Sequence, residues 1–403
     1  MPADYEIVIV TPEYAADGYT GGMGMFYRRL TTAFREAGFT VVVISSSHFV
    51  QHSDAVVGHI ALRNWGERLW RLNRAFGTMP SSLAASAQAA RCLRRCAGPA
   101  SRRVVLVPDF GGWGLLVKLL NPRHPVVLRL HGAAGLLRAR TGALTSPRHH
   151  FLSDNLERAS LAYADGITAP SEFMAHVAAD FYRIPRDRIH VIPNLFVAQP
   201  PPAPIRPTPS KERLILLVGR VERTKGAHLV PAVVQELVRA GEDFQLAVIG
   251  NDTLSGTDGK SMTAQMRREL GLEAPQRCVF HGRLPFAQVE QFYQRASIVL
   301  IPSLFESFSN AALEAIHHRC LVVASEGTAA ADIVAESGCG AVVRFADATA
   351  TAARIATLLA THAEVLQSCQ TQRQAFLNRC SPKQVVAALC NLFERLRRDK
   401  LKR

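Results

Sequence analysis

Two glutamates eight positions apart, Glu306 and Glu314, flank a change of order in the stretch IPSLFESFSNAALEAI. The stretch leaves an apolar strand, SIVLIP, breaks at Pro302 and Ser303, and turns helical after the polar run 307–310. Glu306 falls in the loop and Glu314 inside the helix, and eight helical residues would set them about 12 Å and roughly 80° apart. Two carboxylates so placed can serve the two ends of one extended ligand. Between them, the backbone N–H groups of Phe308, Ser309 and Asn310 are expected as the open first donors of the helix, where its dipole favours an anion. A sugar diphosphonucleoside has that layout, an anion with hydroxyl-rich groups on both sides. The same pattern also suits plain capping, with Ser307 or Ser309 closing the helix end and both glutamates in water.

A second stretch bears on the choice. LILLVGRVERTKGAHLV, residues 214–230, reads as a buried strand, a turn at Gly219, a basic loop with Arg220 and Lys225, then Gly226 and a helix. Basic side chains on a short loop after a strand stand where open α/β sheets bind ligands. Each taken alone would suit a solvated surface charge.

Together, VGRVERTKG and FESFSNAALEA resemble the signature of the retaining GT-B glycosyltransferases of family 4, a G-R-x(4)-K-G loop followed by a glutamate, seven residues and a second glutamate. The matching positions are Gly219, Arg220, Lys225, Gly226, Glu306 and Glu314, and the likeness extends over nearly the whole chain. It implies an α/β fold of the GT-B type, with two Rossmann-like parallel-sheet domains facing across a cleft and a C-terminal helix crossing back to the first domain. By the same resemblance Gly21 and Gly22 would face the donor diphosphate. His131 would contact the donor sugar without acting as a general base, and the backbone around Leu284 would meet the nucleobase. The family usually has glycine after the asparagine matched by Asn194, whereas Leu195 stands here. That departure is expected to alter a turn and leave the chemistry alone.

The elements that must position these groups follow in order. EIVIV (6–10) is a strand, a glycine loop with Gly21, Gly22 and Gly24 opens a helix that stops at Gly38, and 40–44 is a second strand. Strand, loop, helix and strand in that order imply a parallel sheet. The glycines do not fit G-x-G-x-x-G, so they serve backbone approach to a phosphate or a plain turn, and no dinucleotide fingerprint is present. RVVLVPDFGG (103–112) reads as a further strand and turn, and PVVLRLHGAAG (125–135) as the next strand, with His131 at its carboxyl end. ADGITAPSEFMAHVAADF (164–181) reads as a strand and helix, and RIHVIPN (188–194) closes the first domain. Ser171 is placed as a helix cap. The proline-rich stretch 198–213 reads as a stiff linker between a first domain, 1–197, and a nucleotide-sugar domain, 214–380, which repeats the alternation. Ser381 and Pro382 open the last helix and a basic tail, 381–403.

Composition bounds the remaining possibilities. A chain of 403 residues is long enough for two or three domains with their own cores. It contains no apolar run of membrane-spanning length, and MPADYEIVIV enters a strand directly, so a cytoplasmic protein is expected. The eight cysteines form no C-x-x-C pair, and neither a metal nor another cofactor is called for; the nucleotide-sugar is a substrate. Lysine and arginine number 47 against 33 aspartate and glutamate, a net charge of +14. Between Arg63 and Arg103 nine arginines face one acid, Glu67, and RLRRDKLKR closes the chain. Such stripes suit an anionic partner or simply a solvated basic face. Trp65 and Trp70 among these arginines point to peripheral contact with anionic membrane on its inner face. Nucleic acid fits poorly, since none of its binding motifs occurs.

The expected chemistry is transfer of a sugar from a UDP- or GDP-linked donor to a hydroxyl on a sugar, a glycan or a lipid-linked glycan of the cell envelope. Arg220, Lys225 and the helix start at 308–310 would stabilise the leaving diphosphate. Glu306 is assigned to the sugar and the emerging positive charge, and Glu314 to the ribose. A sugar-nucleotide epimerase on the same fold and a non-catalytic nucleotide-sugar or membrane-surface binding protein remain as alternatives.

Overall fold

The computed structural model describes residues 5–14, 22–46, 58–62, 65–76, 79–95, 103–141, 147–197, 212–271 and 277–402. The chain divides into two compact units, Met1–Val197 with Cys380–Arg403, and Ala198–Arg379. The expected linker at 198–213 lies outside the described residues except for Glu212 and Arg213, which already belong to a strand. The boundary expected after Cys380 shifts by one residue, because the Cys380 carbonyl accepts a 2.7 Å hydrogen bond from Phe196 N and joins the first unit.

The sheet of the first unit holds β1 (Glu6–Thr11), β2 (Val41–Ser46), β3 (Gly58–Leu62), β4 (Arg103–Pro108), β5 (Val126–Arg129), β6 (Gly166–Ala169) and β7 (Ile189–Val191), in the order β3-β2-β1-β4-β5-β6-β7. The second unit holds β8 (Glu212–Val218), β9 (Gln245–Ile249), β10 (Cys278–Gly282), β11 (Ala296–Ile301), β12 (Leu321–Ser325) and β13 (Gly340–Val343), in the order β10-β9-β8-β11-β12-β13. Neighbouring strands are parallel throughout, with Val8 beside Val42 and Val105, and Leu300 beside Leu217 and Val323. Strands such as RVVLVP and ASIVLI are buried along their whole length, as a parallel sheet covered by helices on both faces requires.

Each sheet reverses its strand order once, between β1 and β4 and between β8 and β11. In such sheets the crevice for a ligand opens beyond the carboxyl ends of the strands at the reversal. The loops leaving β8 and β11 are the two basic and acidic stretches singled out above.

The core of the first unit explains two further features. The helix Gly22–Glu36 lays Phe26, Tyr27, Leu30 and Phe34 on Ile7, Ile9 and Leu106. The last helix, Pro382–Leu401, is capped by Ser381 and adds Val385, Leu389, Leu392 and Phe393 to that same core. Each such burial is worth about 1.5 to 3 kcal/mol, so this helix is a structural member of the unit and not a loose tail. Leu195, which stands where the family usually has glycine, is buried in this core as well. The basic tail is also less free than its composition suggests, since Arg397 lies over the Tyr5 ring and Lys400 Nζ is 2.9 Å from Asp165 Oδ1.

Candidate active site

In the second unit, β8 ends at Val218 and the chain crosses Gly219 and Arg220 into the short 3-10 turn Arg223–Lys225. Gly226 follows with φ +71°, and a Cβ there would lie 1.8 Å from the Pro302 carbonyl oxygen. Only glycine lets the two loops come this close. Leu304 N donates to the Thr224 carbonyl at 2.9 Å, which ties the loop after β11 to the loop after β8. The loop after β9 joins them, as Gly250 packs against the Gly219 carbonyl and Ser255 Oγ accepts from Arg223 N at 2.9 Å.

This stitching brings Lys225 and Glu306 together. Lys225 Nζ donates to Glu306 Oε2 at 2.7 Å, and Ser303 Oγ donates to the same oxygen at 2.9 Å. Glu306 is largely covered, while Lys225 keeps a third of its side-chain surface open to a ligand. Arg220 stays exposed and pairs at 3.0 Å with Glu222, a buried carboxylate that sequence reasoning missed. Gly219 has φ +135° and no atom within 4 Å of an added Cβ, so its surface is open.

The helix start differs from expectation in register. Ser309 is the N-cap, accepting from Ala312 N at 3.2 Å, and the helix runs from Asn310 to His317. Phe308 and Ser309 therefore precede the helix, and its first-turn N–H groups belong to Asn310, Ala311 and Ala312. The cap consumes the third, and the buried Phe308 ring anchors the turn. Glu314 lies one turn further along the helix and accepts from Tyr293 Oη at 3.1 Å. Leu284 is half-buried in the turn after β10, the edge strand, three strand spacings or about 14 Å across the sheet from β11.

The first unit gathers a different set. Gly22 opens its helix in ordinary helical geometry with nothing within 4 Å of an added Cβ, and Gly21 lies outside the described residues. His131 follows β5, with Nε2 3.2 Å from Tyr27 Oη and its ring edge-on to Phe26 and Tyr27 at 5.1 and 5.3 Å. Its backbone N–H and that of Ala133 donate to the two carboxylate oxygens of Asp109 at 3.0 and 3.1 Å, so a buried acid at the end of β4 shapes the histidine loop. Burial among these rings, helped by the Arg129 charge, holds His131 down at about 3 and keeps the imidazole neutral. Asp109 is pushed up to about 6 by burial, opposed by the N–H groups it accepts. Glu157, buried beside the Tyr182 hydroxyl and the Gly111 N–H, rises to about 8 for the same reason, with the nearby Asp109 adding to it. Arg129 lies fully buried over Phe26 and donates to the Ile192 carbonyl and Asn194 Oδ1. Among the described residues no group of three or more histidine, cysteine, aspartate or glutamate side chains is placed to hold a metal ion.

Two family profiles match the chain in succession, the one described as Glycosyltransferase Family 4 over residues 20–196 and the one described as Glycosyl transferases group 1 over residues 203–375. The chain belongs to the GT-B glycosyltransferases. A similar curated relative, the D-inositol 3-phosphate glycosyltransferase of Segniliparus rotundus, is 27% identical over 363 residues, covering 85% of this chain and 78% of that one. Among solved structures, sucrose-phosphate synthase from Thermosynechococcus elongatus superposes with a TM-score of 0.73 at 19% identity, covering 97% of this chain and 99% of that one. Anabaena HepE in complex with UDP and glucose superposes with a TM-score of 0.68 at 13% identity, covering 97% and 100%. These likenesses establish the two-domain Rossmann-like fold of this glycosyltransferase.

The motifs that resemble family 4 name the polar groups of this glycosyltransferase's candidate site, but not the groups that brace them. Glu222, Ser303, Tyr293, Asp109 and Tyr27 carry no motif of their own. Asp109 alone had a signal, an acid at the carboxyl end of a strand beside the reversal. The basic stripe also divides. Arg103 is buried and paired with Glu6 at 2.6 Å, and Trp65 is held by Gln88 at 2.8 Å. The helix Trp70–Phe76 exposes Trp70, Leu72 and Phe76 beside Arg68, Arg71 and Arg74. Within the described residues no helix is long and apolar enough to cross a membrane.

Proposed function

We propose that the chain transfers a sugar from a nucleoside-diphosphate sugar, UDP- or GDP-linked, to a hydroxyl acceptor with retention of configuration and without a metal. The Lys225–Glu306 pair at the strand reversal carries the reading: a cation and a carboxylate held 2.7 Å apart, ahead of a capped helix start. Departure of a nucleoside diphosphate builds negative charge on its terminal phosphate. Lys225, freed from Glu306 by the incoming anion, Arg220 and the first-turn N–H groups of the 310–317 helix would meet that charge. Glu306, released from Lys225, would face the sugar hydroxyls and the positive charge developing at the anomeric carbon. Glu314 is assigned to the ribose, Gly219 and Leu284 to the nucleotide's path, and Gly21 and Gly22 to its diphosphate. The neutral His131 is assigned to the sugar as a hydrogen-bonding group. No second carboxylate is assigned as a nucleophile, so attack on the same face, with the leaving phosphate accepting the acceptor's proton, accounts for retention.

The named relatives suggest where to begin. HepE was captured with UDP and glucose, and the curated relative is named a D-inositol 3-phosphate glycosyltransferase, so an inositol phosphate is the first acceptor to try. Sugars and lipid-linked glycans of the cell envelope form the second acceptor set. Contact with anionic membrane at a cytoplasmic face is assigned to the helix Trp70–Phe76, where Arg71 and Arg74 lie 5.6 and 5.9 Å from the centre of the Trp70 ring. Sedimentation with phosphatidylglycerol vesicles, lost in Trp70→Ala with Phe76→Ala, is the expected outcome.

The deciding experiment is incubation with UDP-, GDP- and ADP-sugars with and without inositol phosphate and glycan acceptors, followed by product stereochemistry. Acceptor-dependent product with the donor's anomeric configuration is expected. Isomerised donor formed without acceptor would favour an epimerase, and nucleotide binding with no turnover a binding protein.

A further inference from the structure

Glu314 does not stand alone on its helix. Tyr293, from the neighbouring helix Phe286–Arg295, is fully buried and turns its hydroxyl onto Glu314 Oε2 at 3.1 Å. A buried tyrosine hydroxyl finds a polar partner, and here that partner is a carboxylate on a different helix. The ring itself is fixed. It stacks on His318 with centroids 5.8 Å apart and planes 5° from parallel, and His318 Nε2 lies 3.6 Å from Glu290. The Tyr293 carbonyl accepts from Cys320 Sγ at 3.1 Å, which ties the end of its helix to the start of β12. Burial, with the nearby Glu314 charge adding to it, drives the phenol well above its ordinary range, so Tyr293 remains a donor at every working pH.

We infer that Tyr293 is a positioning residue for nucleotide recognition, its hydroxyl fixing one Glu314 oxygen so that the carboxylate meets a pair of ribose hydroxyls in one orientation. The inference rests on the proposed assignment of Glu314 to the ribose. A glutamate side chain free to sample its rotamers loses conformational entropy on binding, whereas one already held does not. The 3.1 Å hydrogen bond from a ring locked in a stack supplies that hold. Tyr293 would thus set how strongly the site prefers a ribonucleotide over a sugar lacking the hydroxyls, without touching the ligand.

The test compares the affinities of UDP, GDP or ADP, whichever binds, and of its 2′,3′-dideoxy counterpart, in wild type, Tyr293→Phe and Glu314→Gln, with melting curves as a check on folding. Wild type is expected to prefer the ribonucleotide, and Tyr293→Phe to lose about tenfold of that preference with dideoxynucleotide affinity unchanged and kcat nearly so. An equal fall for both ligands in Tyr293→Phe would mean a merely structural role and overturn the inference. Unchanged preference in Tyr293→Phe, with preference lost in Glu314→Gln, would overturn it while leaving the ribose assignment intact. Unchanged preference in both variants would overturn the ribose assignment, and the inference with it.

Discussion

Lys225 Nζ and Glu306 Oε2 meet at 2.7 Å although 81 positions separate them in the chain. They meet because β8 and β11 are neighbours in the sheet and the loops leaving them are bound together by the Thr224–Leu304 hydrogen bond and the close approach of Gly226 to Pro302. A cation waiting against a carboxylate is an arrangement that a diphosphate can displace.

Lys225→Met should therefore lower kcat by about 10²- to 10³-fold, the scale for losing one electrostatic group at a developing anion. Glu306→Gln should lower kcat comparably while nucleotide affinity, read by titration calorimetry, holds. Unchanged turnover in either variant would remove that residue from the chemistry.

Gly226→Ala tests the loop architecture. The left-handed backbone alone costs a non-glycine residue about 1 to 2 kcal/mol, and the new methyl would collide with the Pro302 carbonyl. We expect a lower melting temperature and weakened nucleotide binding together. A variant that melts and binds like wild type would show that the loops need not be in contact.

Glu157 predicts a pH dependence of stability. Its folded pKa of about 8 lies above the ordinary carboxyl value near 4.3, so the folded state binds the proton more tightly. The group's stabilising proton is retained below that ordinary value, and stability then falls as pH rises through the window to about 8. Asp109, at about 6, acts in the same direction over the lower part of the window. Melting temperatures between pH 5 and 9 should decline for wild type and decline less for Glu157→Gln. Parallel curves would refute the assignment.

His131 should remain neutral throughout the usual assay range, since its folded value of about 3 is far below the ordinary 6.5. Its contribution to stability is complete above that ordinary value and is lost as pH falls toward 3. Activity profiles from pH 5 to 8 should therefore show the same acid limb in wild type and His131→Asn, and His131→Asn should retain more activity than His131→Leu. A limb that disappears in His131→Asn would mean the imidazole titrates in catalysis.

The sequence by itself determined the parts whose signals are local. Continuous apolar runs such as RVVLVP and SIVLIP specify strands buried on both faces, and strand-to-helix alternation specifies parallel pairing. Gly219, Arg220, Lys225 and Glu306 stand in loops after strands and Glu314 inside a helix, positions that the chain's own pattern marks, and the resemblance to family 4 singled them out from solvated surface charges. Ser309 and Ser381 were likewise visible as caps, although the helix start expected at Phe308 begins at Asn310. Only the tertiary structure decided which of these groups touch. The strand order β9-β8-β11-β12 puts Lys225 beside Glu306, and helix packing puts Tyr293 against Glu314. The fold likewise makes Asp109 and Glu157 buried acids. Contacts between residues far apart in the chain depend on strand order and burial, and neither composition nor short-range periodicity encodes those.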